Sequence, residues 1–382
     1  MKKLKKIPLL MTALIAFTLV FTTLSCRDDS DAIPLGVIFP LSGPVAFFGA
    51  ESSDGIILAA EEINAAGGLL DRQIRLIIAD DENNTELTVS SFLRLTTQER
   101  VGIVMGSSTS GATSAIAPFA QQQGVVLITP SATAVGVTEI GDFIFRACFI
   151  DPFQGLVGAD FAFDYLGSRR AAVLYDAGAD YNTGLAEAFR DRFIARGGEI
   201  VAWEAYMTDA TDFNAQATRI GAANPDVVYL PNYLHDVALQ AMQLRAQGVT
   251  APLVGGDGWD GVAGIAGNEI VGGFWSSAFS VDTTDPLGVA FVEAFEARFG
   301  RRASQFAALG YDTMMLVAEA IRAAGTIEPA AVRDALANID GTFVTGNIRF
   351  DENRNPIKGA AILEIQNIDG RLVNVYRTTV NP

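Results

Sequence analysis

The sequence predicts an α/β protein built on two parallel sheets covered by helices. Three observations carry this. Short apolar runs rich in Val, Ile and Leu alternate with amphipathic stretches, the pattern of strands buried on both faces and joined by crossover helices. The chain has 382 residues, more than one core of about 250–300 residues supports, so two sheets are expected. Hydrophobic residues make up 49% and charged residues 19%, which is a globular balance.

The elements follow in order. Leu35 to Phe39 reads as a strand and Gly55 to Asn64 as a helix stopped by Gly67 and Gly68. Strands over 74–79, 101–105 and 125–129 alternate with helices over 87–99 and 111–122, and the apolar run Phe143 to Ile150, with Cys148 inside it, reads as a buried strand. A second series begins near Ile150. It holds helices over 154–165, 183–195, 213–222 and 237–247 with strands over 171–175, 199–206, 227–230 and 253–255. Helices follow over 287–299, 306–323 and 329–339. The end of the chain, 342–350, 361–368 and 372–376, is strand-rich and must join sheets made earlier. Asn353 to Pro356 and the pair Asp369-Gly370 are its turn signals.

Composition excludes several functions. Asp and Glu outnumber Lys and Arg by 44 to 27, a net charge of −17. The first 25 residues hold four Lys and no acid, so the charge without them moves from −17 to −21. Such a field repels phosphate backbones and anionic lipid surfaces, so no nucleic-acid partner is expected and small molecules are the natural ligands. Two cysteines and one histidine, His235, cannot supply a Cys/His zinc cluster or a disulfide scaffold. No metal and no cofactor is expected.

Lys2, Lys3, Lys5 and Lys6 followed by the apolar run Ile7 to Phe21 read as a secretory signal over residues 1–25. The run is short for a membrane span of about 20 residues. It ends in Thr23-Leu24-Ser25-Cys26, which resembles a bacterial lipobox with Thr23 where Leu is usual. Cys26 would be acylated and 26–32 would form a polar tether. Cys148 would then remain a buried free thiol.

No P-loop, zinc-protease, nucleophile-elbow or dinucleotide fingerprint occurs. His235, just before a helix, reads as a surface residue, and no enzyme activity is expected. Two junctions are rich in hydroxyls: Gly106 to Thr113 after one strand and Thr129 to Ala134 after the next. Such loops lie at the C-terminal rim of a parallel sheet, where helix N-termini and backbone N–H groups gather and ligands bind. Ser110 at a helix start and Thr133 on the neighbouring loop suggest a carboxylate clamp. The same hydroxyls would also serve as plain helix caps.

Leu41-Ser42-Gly43-Pro44, the stretch Asp54 to Gly68, Asp80-Asp81, Ile128 to Thr133 and Phe145-Arg146 together resemble the leucine/isoleucine/valine-binding proteins of ABC importers over 33–376. That resemblance implies the type I periplasmic solute-binding fold: two doubly wound lobes joined by three crossovers, with terminal strands returning to both sheets. The implied lobes are 33–149 with 280–361, and 150–279 with 362–382. It implies that Ser110 and Thr133 hold an α-carboxylate, that the Ser131 carbonyl meets an α-ammonium, and that Asp257 is the acidic ammonium partner, where a glutamate is usual. Tyr181 and Tyr233 would close over the ligand and Phe306 would touch its side chain. Phe48 stands where a tyrosine is frequent. Asn83 and Thr109 occupy positions that carry a disulfide in some relatives. From the residues alone, Asp257 reads equally as an Asp-Gly turn acid. Trp259 either shapes side-chain preference or lies buried against the lobe interface.

The function these residues imply is that of an extracytoplasmic, monomeric lipoprotein that captures an aliphatic or aromatic α-amino acid and delivers it to the membrane subunits of an ABC importer. Binding of another small solute (urea, an amide or an aromatic acid) or a ligand-sensing role is the alternative.

Overall fold

The computed structural model describes residues 31–381. The expected signal peptide and Cys26 lie outside them. Five strands, β1 (Ile33–Phe39), β2 (Ile74–Asp80), β3 (Ile103–Gly106), β4 (Val126–Thr129) and β5 (Ile144–Arg146), form an all-parallel sheet in the order β2, β1, β3, β4, β5. Helices α1 (Ala46–Ala65), α2 (Thr85–Thr97), α3 (Ser110–Gln123) and the short α4 (Gly136–Glu139) connect them. A second lobe is built on β6 (Arg170–Asp176), β7 (Glu199–Tyr206), β8 (Val227–Leu230), β9 (Leu253–Gly255) and β10 (Phe274–Ser277), with β13 (Ala360–Ile368) and β14 (Arg371–Val380) added from the end of the chain. Its helices are α5 (Asp151–Asp160), α6 (Asp180–Ala195), α7 (Asn214–Ala223) and α8 (Leu234–Ala246). Between β10 and β13 the chain returns to the first sheet's side with α9 (Pro286–Phe299), α10 (Gln305–Ala324) and α11 (Pro329–Ala337), and forms the hairpin of β11 (Asp340–Phe343) and β12 (Gly346–Arg349).

The structure departs from the sequence-based expectations at five places. Helix α1 starts at Ala46 rather than Gly55, because its first turns are held by tertiary packing. A methyl group at Gly55 would strike the Ala307 carbonyl, and one at Gly310 the Ser52 carbonyl, so α1 and α10 approach backbone to backbone. Strand β5 ends at Arg146, and Cys148 lies just beyond it in the crossing to the second lobe. Its free thiol is fully buried, and burial pushes it up to about 12. Strand β10 had no counterpart in the sequence reading, since its run Phe274-Trp275-Ser276-Ser277 ends in two serines and shows no continuous apolar stretch.

The remaining two departures concern the end of the chain. β13 and β14 run antiparallel to their neighbours, which makes the seven-stranded sheet mixed, and β13 begins at Ala360, ahead of the 362 start expected for that return. β11 and β12 pair only with each other and do not rejoin the first sheet. The Asp312 carboxylate of α10 holds their turn, accepting from Val344 N, Thr345 N and Thr345 Oγ1 at 2.9, 2.8 and 2.6 Å.

The chain crosses between lobes after β5, after β10 and before β13. Lys358 Nζ donates to the Ala147 carbonyl at 3.3 Å and so ties the first crossing to the third.

Candidate functional site

Two loops at the C-terminal rim of the first sheet are stitched into one surface. Thr129 Oγ1 donates to the Ser107 carbonyl at 2.6 Å, and Ser131 Oγ donates to the Ser108 carbonyl at 2.8 Å. Arg146, fully buried, spends its guanidinium on the carbonyls of Ala132 (2.7 Å), Ala134 (2.8 Å) and Val135 (3.3 Å), fixing the loop after β4 from beneath. The N-cap of α3 is Thr109, whose hydroxyl bonds Asn83 instead of the helix; Ser110 is the first helical residue. Ser110 Oγ accepts from Ala134 N at 3.1 Å, which leaves its own proton free to donate. The first N–H groups of α3 have no intrahelical partner and add positive potential at the same place.

The second lobe answers with an acid. Asp257 begins a short 3-10 turn after β9 and is 4% exposed. Its Oδ1 accepts from Tyr181 Oη at 2.9 Å and from Gln154 Nε2 at 3.1 Å, while Gln154 Oε1 accepts from Asp257 N at 2.5 Å and from Ser276 Oγ at 2.8 Å. Tyr181 stacks flat on Tyr233, with centroids 4.9 Å apart and ring planes 2° from parallel. Burial pushes the Asp257 carboxyl up to about 6, against hydrogen bonds that favour its charge.

These groups line one cavity between the lobes. Its walls are Phe48, Ser108, Ser110, Ser131, Tyr181, Tyr233, Asp257, Gly258 and Phe306. Phe48 stacks on Phe306 with centroids 4.3 Å apart and meets Tyr233 edge-on at 5.6 Å. The walls close to a cavity of about 10 Å³, roughly the room of one water molecule.

Two expected residues are elsewhere. Trp259 is fully buried in the second lobe, its Nε1 donating to the Leu230 carbonyl at 2.8 Å, and does not reach the cavity. Thr133 is fully buried and absent from the walls, and its hydroxyl makes no hydrogen bond. Sequence reasoning passed over Ser108, Gly258 and Gln154. Ser108 sits in the same hydroxyl-rich run as Ser110, and its buried Oγ is unpartnered at the wall. Nothing local marks Gln154, whose role exists only once β9 and β10 lie beside α5.

A latch joins the lobes beside the cavity. Asp260 Oδ2 accepts from Gln305 N at 3.0 Å, Gln305 Nε2 donates to the Asp257 carbonyl at 2.8 Å, and Gln305 Oε1 accepts from Ala278 N at 2.8 Å. Burial, with the Glu51 carboxylate nearby, pushes Asp260 up to about 7. Asp257 at about 6 and Asp260 at about 7 both lie above the unfolded value near 4. Folding therefore holds protons that unfolding releases, and stability falls as pH rises through that window. Scanning calorimetry of the ligand-free protein should give a higher melting temperature at pH 5.5 than at pH 8, and Asp260→Asn should flatten the slope. A profile that rises from pH 5.5 to 8 would contradict this ionisation picture.

Among the described residues, no group of three His, Cys, Asp or Glu side chains is placed to hold a metal, and no helix is long and apolar enough to cross a membrane. His235 is exposed on α8.

Comparison with known proteins places the fold among binding proteins. The sequence profile of the periplasmic binding protein family matches residues 32–370. The Leu/Ile/Val-binding protein BraC3 of Rhizobium johnstonii is 32% identical over 329 residues, covering 85% of this chain and 88% of the relative. Among solved structures, the branched-chain amino acid transporter substrate-binding protein LivJ of Streptococcus pneumoniae, in complex with isoleucine, is 33% identical with a TM-score of 0.83, covering 92% of this chain and all of the other. The leucine-binding protein LivK of Thermotoga maritima is 29% identical with a TM-score of 0.87, covering 92% of this chain and 99% of the other.

Proposed function

The chain belongs to the periplasmic binding protein family, and from that premise we propose that it is the extracytoplasmic substrate-binding component of an ABC importer, capturing an apolar α-amino acid between its lobes. The observation that carries this reading is the two-pole cavity. Donors from the first lobe, the Ser110 and Ser108 hydroxyls at the start of α3, face the buried Asp257 carboxyl of the second lobe across aromatic walls. A zwitterion neutralises both poles without water, whereas a neutral or purely anionic solute leaves Asp257 with no cationic partner. Ser131 would offer its carbonyl to the ammonium, and Phe48, Phe306 and Tyr233 would enclose the side chain.

Contacts from both lobes make the ligand a stabiliser of the closed form, which the importer's membrane subunits would recognise. Two residue ranges serve this motion: 33–149 with 280–359, and 150–279 with 360–382. Acylation at Cys26 would tether the monomer to the membrane.

Thermal-shift screening of the 20 amino acids, with amino-acid amides and benzoate alongside, tests the ligand class. A ligand at 100 times its Kd should stabilise the protein by about 2.7 kcal/mol. Free apolar amino acids should give the largest shifts and their amides little. Equal shifts from an amino acid and its amide would remove the carboxylate pole, and a shift from benzoate alone would remove the ammonium pole.

A further inference from the structure

A groove of about 760 Å³ opens between α9, α10, α11 and the hairpin of β11 and β12. None of its walls lines the cavity between the lobes. Its floor is apolar. Phe291 and Ile339 are buried there, Met315 and Phe343 are half-buried, and Leu287 at the side is 47% exposed. One wall is a strand seen edge-on: the five consecutive residues Asp340 to Val344 line the groove and no residue of β12 does, so β11 lies between β12 and the groove. Among the described residues β11 and β12 pair only with each other. The other edge of β11 therefore keeps backbone N–H and C=O groups that no strand takes up. Because Asp312 holds the Val344–Thr345 turn, that edge is fixed before anything binds to it.

The groove also has a sign. Glu62, Glu319 and Asp340 line it as exposed residues, and among the described residues no Lys, Arg or His does. Their existing ties leave the charge in place. Glu62 Oε2 accepts from the Tyr311 hydroxyl at 2.6 Å, Asp340 Oδ1 accepts from Asn347 Nδ2 at 3.5 Å, and Glu319 meets Arg322 only at 3.8 Å.

We propose that this groove is a docking site for an extended, basic segment of a partner protein, which adds to the free edge of β11 as a third strand. The inference is independent of the ligand in the cleft. Main-chain hydrogen bonds to β11 supply affinity, and alternate side chains of the segment settle on the apolar floor. Lys or Arg at the intervening positions meets Glu62, Glu319 and Asp340, a match that an acidic or uncharged segment lacks. A hairpin of two strands is marginal by itself, so a third strand also steadies β11 and β12.

The probe is a labelled, end-capped hexapeptide of alternating Lys and Val, followed by fluorescence anisotropy with the full chain. It should bind, whereas the same peptide with Glu in place of Lys should not. A methyl on every backbone nitrogen of the peptide should weaken binding by at least about tenfold, because strand pairing needs those N–H groups. The double variant Glu62→Gln with Glu319→Gln changes two exposed side chains, and its melting temperature reports that it is folded. It should bind the basic peptide about fivefold more weakly, as the loss of two exposed ion pairs requires. Amide exchange should slow within 340–344 when the peptide is added. Absence of binding by the basic peptide, equal binding of its N-methylated form, or protection confined to other segments overturns the inference. Protection of 340–344 that grows with protein concentration and needs no peptide assigns the edge to a second copy of the chain and likewise overturns it.

Discussion

Asp257→Asn is expected to weaken amino-acid binding by about 2–5 kcal/mol, the usual cost of removing one partner of a buried charge pair. Folding should survive, because Oδ1 of the asparagine still accepts from Tyr181 Oη and Gln154 Nε2. The effect belongs to charge and not to shape. The same charge predicts a pH dependence for wild type: with Asp257 at about 6 in the empty cleft, lowering the pH through that value protonates the carboxylate an ammonium needs, and affinity should fall by up to about tenfold per unit below it. Titration calorimetry of both proteins from pH 4.5 to 7 measures the two effects together. If the asparagine variant binds its amino acid as tightly as wild type, Asp257 is a turn residue and the ammonium pole is elsewhere.

Trp259→Ala should cost about 3–5 kcal/mol of stability with little change in ligand preference. The indole is fully buried, packs against Gly255 and Gly273, and donates to the Leu230 carbonyl. Truncation leaves a cavity and strands that carbonyl, which adds about 1–3 kcal/mol when a buried acceptor loses its partner. Trp259→Phe should lose less, since most of the ring volume remains. Urea unfolding of the three proteins gives the stabilities, and the thermal-shift panel gives the preferences. Unchanged stability together with an altered ranking of amino acids would return Trp259 to the ligand.

Several parts of the architecture were written locally. Continuous apolar strands such as Val126–Thr129 and Val227–Leu230 announce a parallel sheet whatever surrounds them, because burial on both faces removes the need for polar alternation. The turn at Asp369-Gly370 was equally plain, with both residues in the left-handed region that a tight hairpin needs. Helix α1 was legible only from Gly55 onward. Its first turns carry Phe48 into the cleft, yet they hold Gly49, Ser52 and Ser53 and form because α10 lies against them.

The site divides along the same line. Ser110 could be found from the sequence, since hydroxyl-rich loops after parallel strands converge on one rim by the topology of the sheet; the same reading chose Thr133 on the neighbouring loop, and Ser131 came only from the family resemblance. Whether Asp257 was a turn acid or part of a cleft could not be read from Asp257-Gly258, because its partners Gln154 and Tyr181 lie 103 and 76 residues away. Trp259 and Thr133 show the converse: each is one or two residues from a wall residue in sequence, yet neither lines the cavity. The sequence by itself determined the fold class and the two hydroxyl loops, which depend on periodicity and composition within a few tens of residues. Tertiary structure alone decided which side chains face the cleft and which carboxyls are buried together, because direction and desolvation are set by neighbours far away in sequence, as Gln154 and Tyr181 are for Asp257.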